Sequence, residues 1–451
     1  MLDVVSLSAV HDLIERGDPS AWKAAGQLVK EHPADWRALM VAGHAALKQD
    51  QHGIALILLR EANRIHPGGT EVLNNIGLCC LGCNDHAGAK DALREALAIN
   101  PRNWQAMSNL ALAYVQTAEP GMAIHWAAKA LEIEQDSAAQ EMKGYAHLML
   151  RQWKEGWQGY EGALHGKIRI PRPFADEPYW NGSPVETLLV CGEQGIGDEV
   201  SFASMINGIK GVKNLILECD HRLEGLFARS FPHAQVVGTR WKPEERVRFE
   251  RKPDAHCLIG SLGQYCRASE SDFEGHPYLV ADPERRLQWR ALLDTLPGKK
   301  VGIAWRGGKH HTMAAARSLD LEQMLPILKT SGITFVSLEY RDPGDELAAF
   351  HGKHGIEVRH WPRAAQSPDY DDTAALVAEL DLVISVQTSA VHLAGGLGVP
   401  CWALIPAKPL WRYGMTGETF PWANSVRLFR QKKHEWPIQE VASLLRRQYG
   451  T

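Results

Sequence analysis

Three prolines, Pro33, Pro67 and Pro101, stand 34 residues apart in this 451-residue chain, and each opens a segment of similar pattern. Ten positions after each proline comes Gly43, Gly77 or Ala111. Twenty-two positions after come Ala55, Ala89 and Ala123, and twenty-nine after come Ala62, Ala96 and Ala130. The two alanines of a unit are seven residues apart, two helical turns, so they share one helix face. Small side chains on that face let two helices approach closely, and the apolar residues between them keep helical spacing. A fourth unit fits with a one-residue shift through Gly144, Gly156 and Ala163, and residues 6–32 read as a degenerate first helix pair.

A 34-residue period with small residues at these offsets resembles the tetratricopeptide repeat. The resemblance implies an all-α solenoid over residues 1–165, whose concave face suits an extended or helical segment of another protein. The competing reading is an array that only supports or dimerises the rest of the chain. Hydrophobic residues at 45% and charged residues at 23% are ordinary globular usage. No apolar run has the length a bilayer requires. The N-terminal segment lacks a basic start, an uninterrupted apolar core and a cleavage site, so a cytoplasmic location is expected. Eight cysteines then read as reduced thiols. Cys80 and Cys83 form a CxxC beside Cys79, without a second ligand pair, and read as packing residues on an amphipathic helix.

The net charge is −4. Residues 1–165 hold 14 Lys and Arg against 19 Asp and Glu, and the remainder holds 35 against 34. Neither part has the basic excess that phosphate-backbone binding requires, so no nucleic-acid partner is expected and any cationic function is local.

After His165 the pattern changes. A proline-rich stretch, 166–184, reads as a linker. Short apolar runs then alternate with helical ones. One set covers 187–191, 214–219, 234–238 and 256–260; the other covers 299–305, 333–340, 356–361, 381–386 and 400–405. Such runs between helices indicate buried parallel strands in βαβ units. The break at 296–300 divides them into two Rossmann-like domains, 185–296 and 297–451. Two doubly wound sheets facing one another place a crevice at the carboxyl ends of their strands.

Chemistry-bearing residues fall at those strand ends. The first strand runs into Gly192-Glu193-Gln194-Gly195-Ile196-Gly197-Asp198, where Gly195 and Gly197 permit a tight turn and close ligand approach. The GxxGxG spacing is not the dinucleotide GxGxxG. Asp198 is either a helix cap or a general base at the crevice mouth. Gln387-Thr388-Ser389 open a helix after another strand, and hydroxyls with free amides at a helix start form an anion site. His392, one turn further, reaches the same anion or packs. Lys309 and Arg317 come after the strand 299–305, as phosphate ligands or as solvated loop residues. Asp369-Tyr370-Asp371 matches a metal-binding DxD, but Asp371-Asp372 precedes a helix and reads as its cap, so no metal is expected. Fifteen tryptophans exceed ordinary usage and indicate either sugar stacking or an aromatic core.

Together the motifs resemble bacterial proteins that join tetratricopeptide repeats to a GT-B glycosyltransferase related to the ADP-heptosyltransferases. The segments that carry the resemblance are 155–161, TrpAsnGly (180–182), GluGlnGlyIleGlyAsp (193–198), ProTyrLeu (277–279), the Trp305–Arg317 loop, AspThrAlaAla (372–375), ValHisLeuAlaGlyGlyLeuGly (391–398), TrpArg (411–412), ProTrp (421–422) and ArgLeuPheArgGln (427–431). The resemblance implies Asp198 as catalytic base, Thr388 and His392 at the nucleotide diphosphate and ribose, Arg317 and Lys309 at phosphate, and Glu339 near the nucleoside. Where that family carries Asp, this chain has Gln387. Loss of a carboxylate there implies a donor different from the family norm, including one whose sugar is acidic.

The function expected on this basis is metal-independent transfer of a sugar from a nucleotide-sugar co-substrate, with no other cofactor, to a hydroxyl of a protein chosen by the repeats. Proteins resembling this architecture modify flagellin, which is the first acceptor expected. A saccharide acceptor and a catalytically inactive scaffold are the alternatives.

Overall fold

A computed structural model describes residues 4–162, 164, 169, 177–240, 249–308, 314–365, 368–433 and 435–450. The chain forms two compact units, Met1–His147 and Leu148–Thr451.

The first unit is a succession of helix pairs: α1 (Val4–Glu15) and α2 (Ala21–Glu31), α3 (Trp36–Lys48) and α4 (His52–Ile65), α5 (Thr70–Gly82) and α6 (His86–Ile99), α7 (Trp104–Gln116) and α8 (Pro120–Leu131), then α9 (Ser137–Met149). The small residues act as their spacing predicts. A Cβ on Gly43 would lie 2.6 Å from Leu59 Cγ, and one on Gly77 would lie 2.6 Å from Leu93 Cγ. Each glycine therefore seats a leucine of the paired helix against bare backbone. Ala55, Ala62, Ala89, Ala96, Ala123 and Ala130 are fully buried. Helix starts are capped by Asp35, Asp85 and Asn103, whose side chains accept from the amides of Arg37, Gly88 and Ala106. The turn inside each pair also recurs. Asp50, Asn84 and Ala118 have φ of 55°, 60° and 59°, a left-handed conformation that Asn and Asp tolerate and alanine does not favour. Cys79 and Cys80 are buried in α5, whereas Cys83 caps its end and is exposed, so only the first two pack. All eight cysteines are free thiols.

The second unit opens with α10 (Trp153–Gly162), so the helical pattern read to residue 165 runs past the division between units. Most of the 166–184 stretch lies outside the described residues. Next come β1 (Val185–Cys191), α11 (Ile196–Phe202), β2 (Val212–Asp220), α12 (Glu224–Ser230), β3 (Ala234–Arg240), β4 (Ala255–Leu258), α13 (Gly263–Cys266) and α14 (Pro283–Asp294). The four strands make a parallel sheet in the order β3-β2-β1-β4.

The remainder is β5 (Lys299–Ala304), α15 (Leu325–Leu328), β6 (Ile333–Ser337), α16 (Gly344–His354), β7 (Val358–Arg359), α17 (Pro362–Ala365), α18 (Asp371–Ala378), β8 (Leu382–Val386), α19 (Ser389–Leu397), β9 (Cys401–Ile405), β10 (Val426–Arg430) and α20 (Ile438–Tyr449). Its six strands form a second parallel sheet, β10-β9-β8-β5-β6-β7. The architecture is thus a helical repeat region followed by an α/β region with two parallel sheets.

Three details differ from the sequence reading. Val426–Arg430 adds a sixth strand beside β9, although its alternation with arginine lacks a buried-strand pattern. The strand expected over 356–361 contracts to two paired residues, Val358 and Arg359, at the edge of the sheet. Helix α14 precedes the break at 296–300 yet packs on α18, with Trp289 Nε1 donating to Asp372 Oδ1 at 3.1 Å.

Among the described tryptophans, Trp153, Trp157, Trp180, Trp289, Trp305, Trp402, Trp411 and Trp422 are core. Trp153, Trp157, Trp411 and Trp422 gather with Tyr160, Phe202 and Phe273, Trp157 meeting Trp411 edge-on at a ring distance of 5.6 Å. Trp157 Nε1 donates to the Arg267 carbonyl at 2.8 Å, which satisfies its polar atom inside the cluster. Trp180 and Trp305 are buried as well, so none of these rings presents a face for sugar stacking.

Candidate functional site

Two strand-to-helix turns meet in the second unit. β1 leads through Gly192–Gly195 into α11, and β8 leads through Gln387–Thr388 into α19. The two helices pack closely because Gly197 has no side chain: a Cβ there would lie 3.3 Å from Ser389 Cβ. Gln194, in the first turn, takes φ of 60° and its side-chain amide donates to Tyr160 Oη at 2.7 Å.

Asp198 is the third residue of α11, and Gly195 is its N-cap. The Gly195 amide donates to Asp198 Oδ2 at 3.0 Å, so the carboxylate reaches back over the helix start as the partner in a capping box, not as the N-cap itself. Its other oxygen, Oδ1, is 2.8 Å from Arg412 Nη2. One oxygen thus caps the helix and the other pairs with Arg412. Arg412 is buried, with its guanidinium over the rings of Phe202 and Trp411 at 4.5 and 4.4 Å. The sequence reading gave Arg412 no role. An arginine between Trp411 and Tyr413 was the available signal, since aromatic neighbours offer the flat faces on which a guanidinium stacks.

Across the turn, Thr388 is the N-cap of α19. Its hydroxyl accepts from the Ala390 amide at 3.2 Å and lies 2.9 Å from Ser385 Oγ. Ser389 Oγ accepts from the Tyr370 hydroxyl at 3.1 Å. Gln387 is buried: Oε1 accepts from the Leu410 amide at 3.2 Å, its carbonyl accepts from Arg317, and Nε2 has no hydrogen-bond partner among the described residues. Arg317 is buried too, and loss of water pulls its guanidinium below the usual arginine range. His392 lies one turn into α19 between Tyr413 and Phe420, both rings 5.8 Å away. Burial, then the positive charges of Arg412 and Arg317, push its imidazole down to about 3, so it is neutral at physiological pH.

Glu339, after β6, is buried, and Oε1 accepts from the amides of Trp305 and Arg306 at 2.8 and 2.9 Å. Burial raises its carboxyl above the usual range. With Arg306, Tyr340, Tyr370, Thr388 and Ser389 it lines a small hollow of about 50 Å³. The structure thus brings Gly195, Gly197, Asp198, Arg317, Gln387, Thr388, Ser389 and His392 around one pair of turns, with Glu339 along the adjoining strand ends. Lys309 lies outside the described residues.

The DxD residues serve other partners. Asp369 accepts from the Asp371 amide at 3.1 Å just before α18, and Asp371 and Asp372, expected to cap that helix, are its first two residues. Asp371 pairs with Arg229, while Asp372 pairs with Arg285 and Arg363. These arginines occupy the carboxylates that a DxD metal site would use.

Residues 70–103 match the tetratricopeptide repeat model. The chain carries a tetratricopeptide repeat. It is also related to protein FlbA of Caulobacter vibrioides, with 32% identity over 312 residues, 65% of this chain and 52% of FlbA. The chain therefore spans about half the length of the curated relative it matches. Similar solved structures include MamA, at 21% identity and a TM-score of 0.31 over 36% of this chain and 94% of MamA. Another is PilF of Pseudomonas aeruginosa, at 18% identity and 0.32 over 35% of this chain and 73% of PilF. YrrB, described as a repeat protein with an unusual peptide-binding site, matches at 12% identity and 0.30 over 36% of this chain and 84% of its own. No helix among the described residues is long and apolar enough to cross a membrane.

Proposed function

We propose that the α/β unit is a glycosyltransferase that moves a sugar from a nucleotide-sugar donor to a protein hydroxyl, and that the repeats choose the protein, with flagellin the first candidate. One observation carries the reading: Asp198 on α11 faces two buried guanidiniums, Arg412 and Arg317, beside the start of α19. Arg412 and Arg317 bring two guanidiniums to this place, and the dipole of α19 adds to their positive charge. Such a place suits the diphosphate of a leaving nucleotide. The unpartnered Nε2 of Gln387 is a further donor for that ligand, or for a carboxylate on the donor sugar.

In this mechanism Asp198 accepts the proton of the acceptor hydroxyl as its oxygen attacks the anomeric carbon. The glycosidic bond to phosphate breaks, and Arg317, Arg412 and the α19 amides stabilise the departing negative charge. No metal and no other cofactor enters the scheme.

One observation favours a second reading, a non-catalytic interaction scaffold. The hollow of about 50 Å³ is far smaller than the ~300–1,000 Å³ of a ligand pocket, too small for a nucleotide sugar as it stands. A thermal-shift panel of UDP, GDP, ADP and CMP separates the two readings. A bound nucleotide at 100 times its dissociation constant stabilises by ~2.7 kcal/mol, and Arg317→Ala is expected to abolish that shift. No shift with any nucleotide supports the scaffold.

A further inference from the structure

Outside the crevice, the first unit places three metal-ligating side chains together. His11 and Glu15 stand four residues apart on α1 and so share one helix face. His44 comes from α3, which packs against α1. The ligand atoms of the three residues lie within 4.8 Å of one another, the two imidazole rings are 5.8 Å apart, and His44 Nε2 is 3.8 Å from Glu15 Oε1. We propose that His11, Glu15 and His44 bind a divalent transition-metal ion of the Zn²⁺ type, clasping α1 to α3.

Tetrahedral zinc with bonds of ~2.0–2.2 Å holds its ligand atoms about 3.4 Å apart, so contraction by up to about 1.4 Å completes the site. His11 and Glu15 are exposed and have the freedom to make that movement. Two imidazoles and one carboxylate suit zinc, nickel or copper, whereas magnesium and calcium take oxygen ligands. Three protein ligands leave a fourth position for water or for a side chain of a bound partner. Lys48 is the competitor: its Nζ is 3.5 Å from Glu15 Oε1, and its side chain is half exposed, so it swings into water when the metal arrives. The clasp joins the first helix pair, whose repeat pattern is the weakest, to the second.

Calorimetric titration of the full chain with ZnCl₂ tests the site independently of any transferase activity. The wild type is expected to bind one equivalent saturably. Glu15→Gln and His11→Ala, both at exposed positions, are expected to weaken it at least tenfold, and Lys48→Met to tighten it severalfold. Co²⁺ is expected to give the visible absorption of a tetrahedral ion in the wild type and not in His44→Ala. Absence of saturable Zn²⁺ binding, or equal affinity in wild type, Glu15→Gln and His11→Ala, overturns the proposal.

Discussion

The two units bury different things. Among the described residues of the first unit the buried polar side chains are Asn75 and Ser108, and the rest of its interior is alanine, leucine and other apolar groups. The second unit buries Glu193, Glu199, Arg240, Arg317, Glu339, Gln387, His392 and Arg412. Burying charge is costly unless it is paired, so these groups mark where the fold gives up packing energy for charge held in a fixed place. The repeats make one contact many times; the α/β unit makes several contacts once. Substitutions in the first unit therefore register as graded losses of packing, and those at the buried charges of the second register in ionisation.

Leu93→Ala challenges the first half of that contrast most strongly. Leu93 is fully buried against Gly77, and its truncation is expected to cost about 2–5 kcal/mol, read by urea denaturation. A loss below about 1 kcal/mol means the seat collapses and the repeat contact is not the stabilising element.

A smaller effect is expected from His392 in the second unit. The folded state holds its imidazole at about 3, below the 6.5 of the unfolded chain, so the unfolded state binds more protons between those values. The contribution is complete above pH 6.5 and is lost as pH falls toward 3, about 2 kcal/mol between pH 7 and pH 5. His392→Asn is expected to flatten that part of the stability profile. An unchanged slope means that His392 does not titrate on unfolding.

Ala118→Gly is the mildest test. It relieves the left-handed strain at φ 59° and is expected to raise stability by up to about 1 kcal/mol after the entropy of glycine is subtracted. A comparable gain from Asn84→Gly breaks the argument, because asparagine already tolerates that conformation.

How much of this was legible in the sequence divides along the same line. The period of Pro33, Pro67 and Pro101 led directly to the Gly43–Leu59 and Gly77–Leu93 seats, because local spacing determines which helix faces meet. The recurrence at Asp50, Asn84 and Ala118 was present in the same period but masked by three different residue types. In the α/β unit the strand runs were readable except β10, where Arg427 and Arg430 interrupt the apolar pattern at the sheet edge. The grouping of Asp198 with Thr388 and His392 came from both turns lying at strand ends. Arg412 escaped because it reaches Asp198 across more than two hundred residues through stacking on Phe202 and Trp411, which no local pattern encodes. The capping shared by Gly195 and Asp198 was visible only in part, since glycine as N-cap has no side chain to signal the helix start.

The claim at the centre is that Asp198 removes a proton from a protein hydroxyl during sugar transfer. Intact-mass analysis of a candidate acceptor such as flagellin, incubated with the full chain and a set of nucleotide sugars, tests it most directly. The account predicts a mass increment of one sugar residue on the protein with the wild type, and a rate ~10²–10⁴-fold lower with Asp198→Asn at unchanged helical content. An increment confined to a saccharide acceptor, no increment on any acceptor, or equal rates for wild type and Asp198→Asn would contradict it.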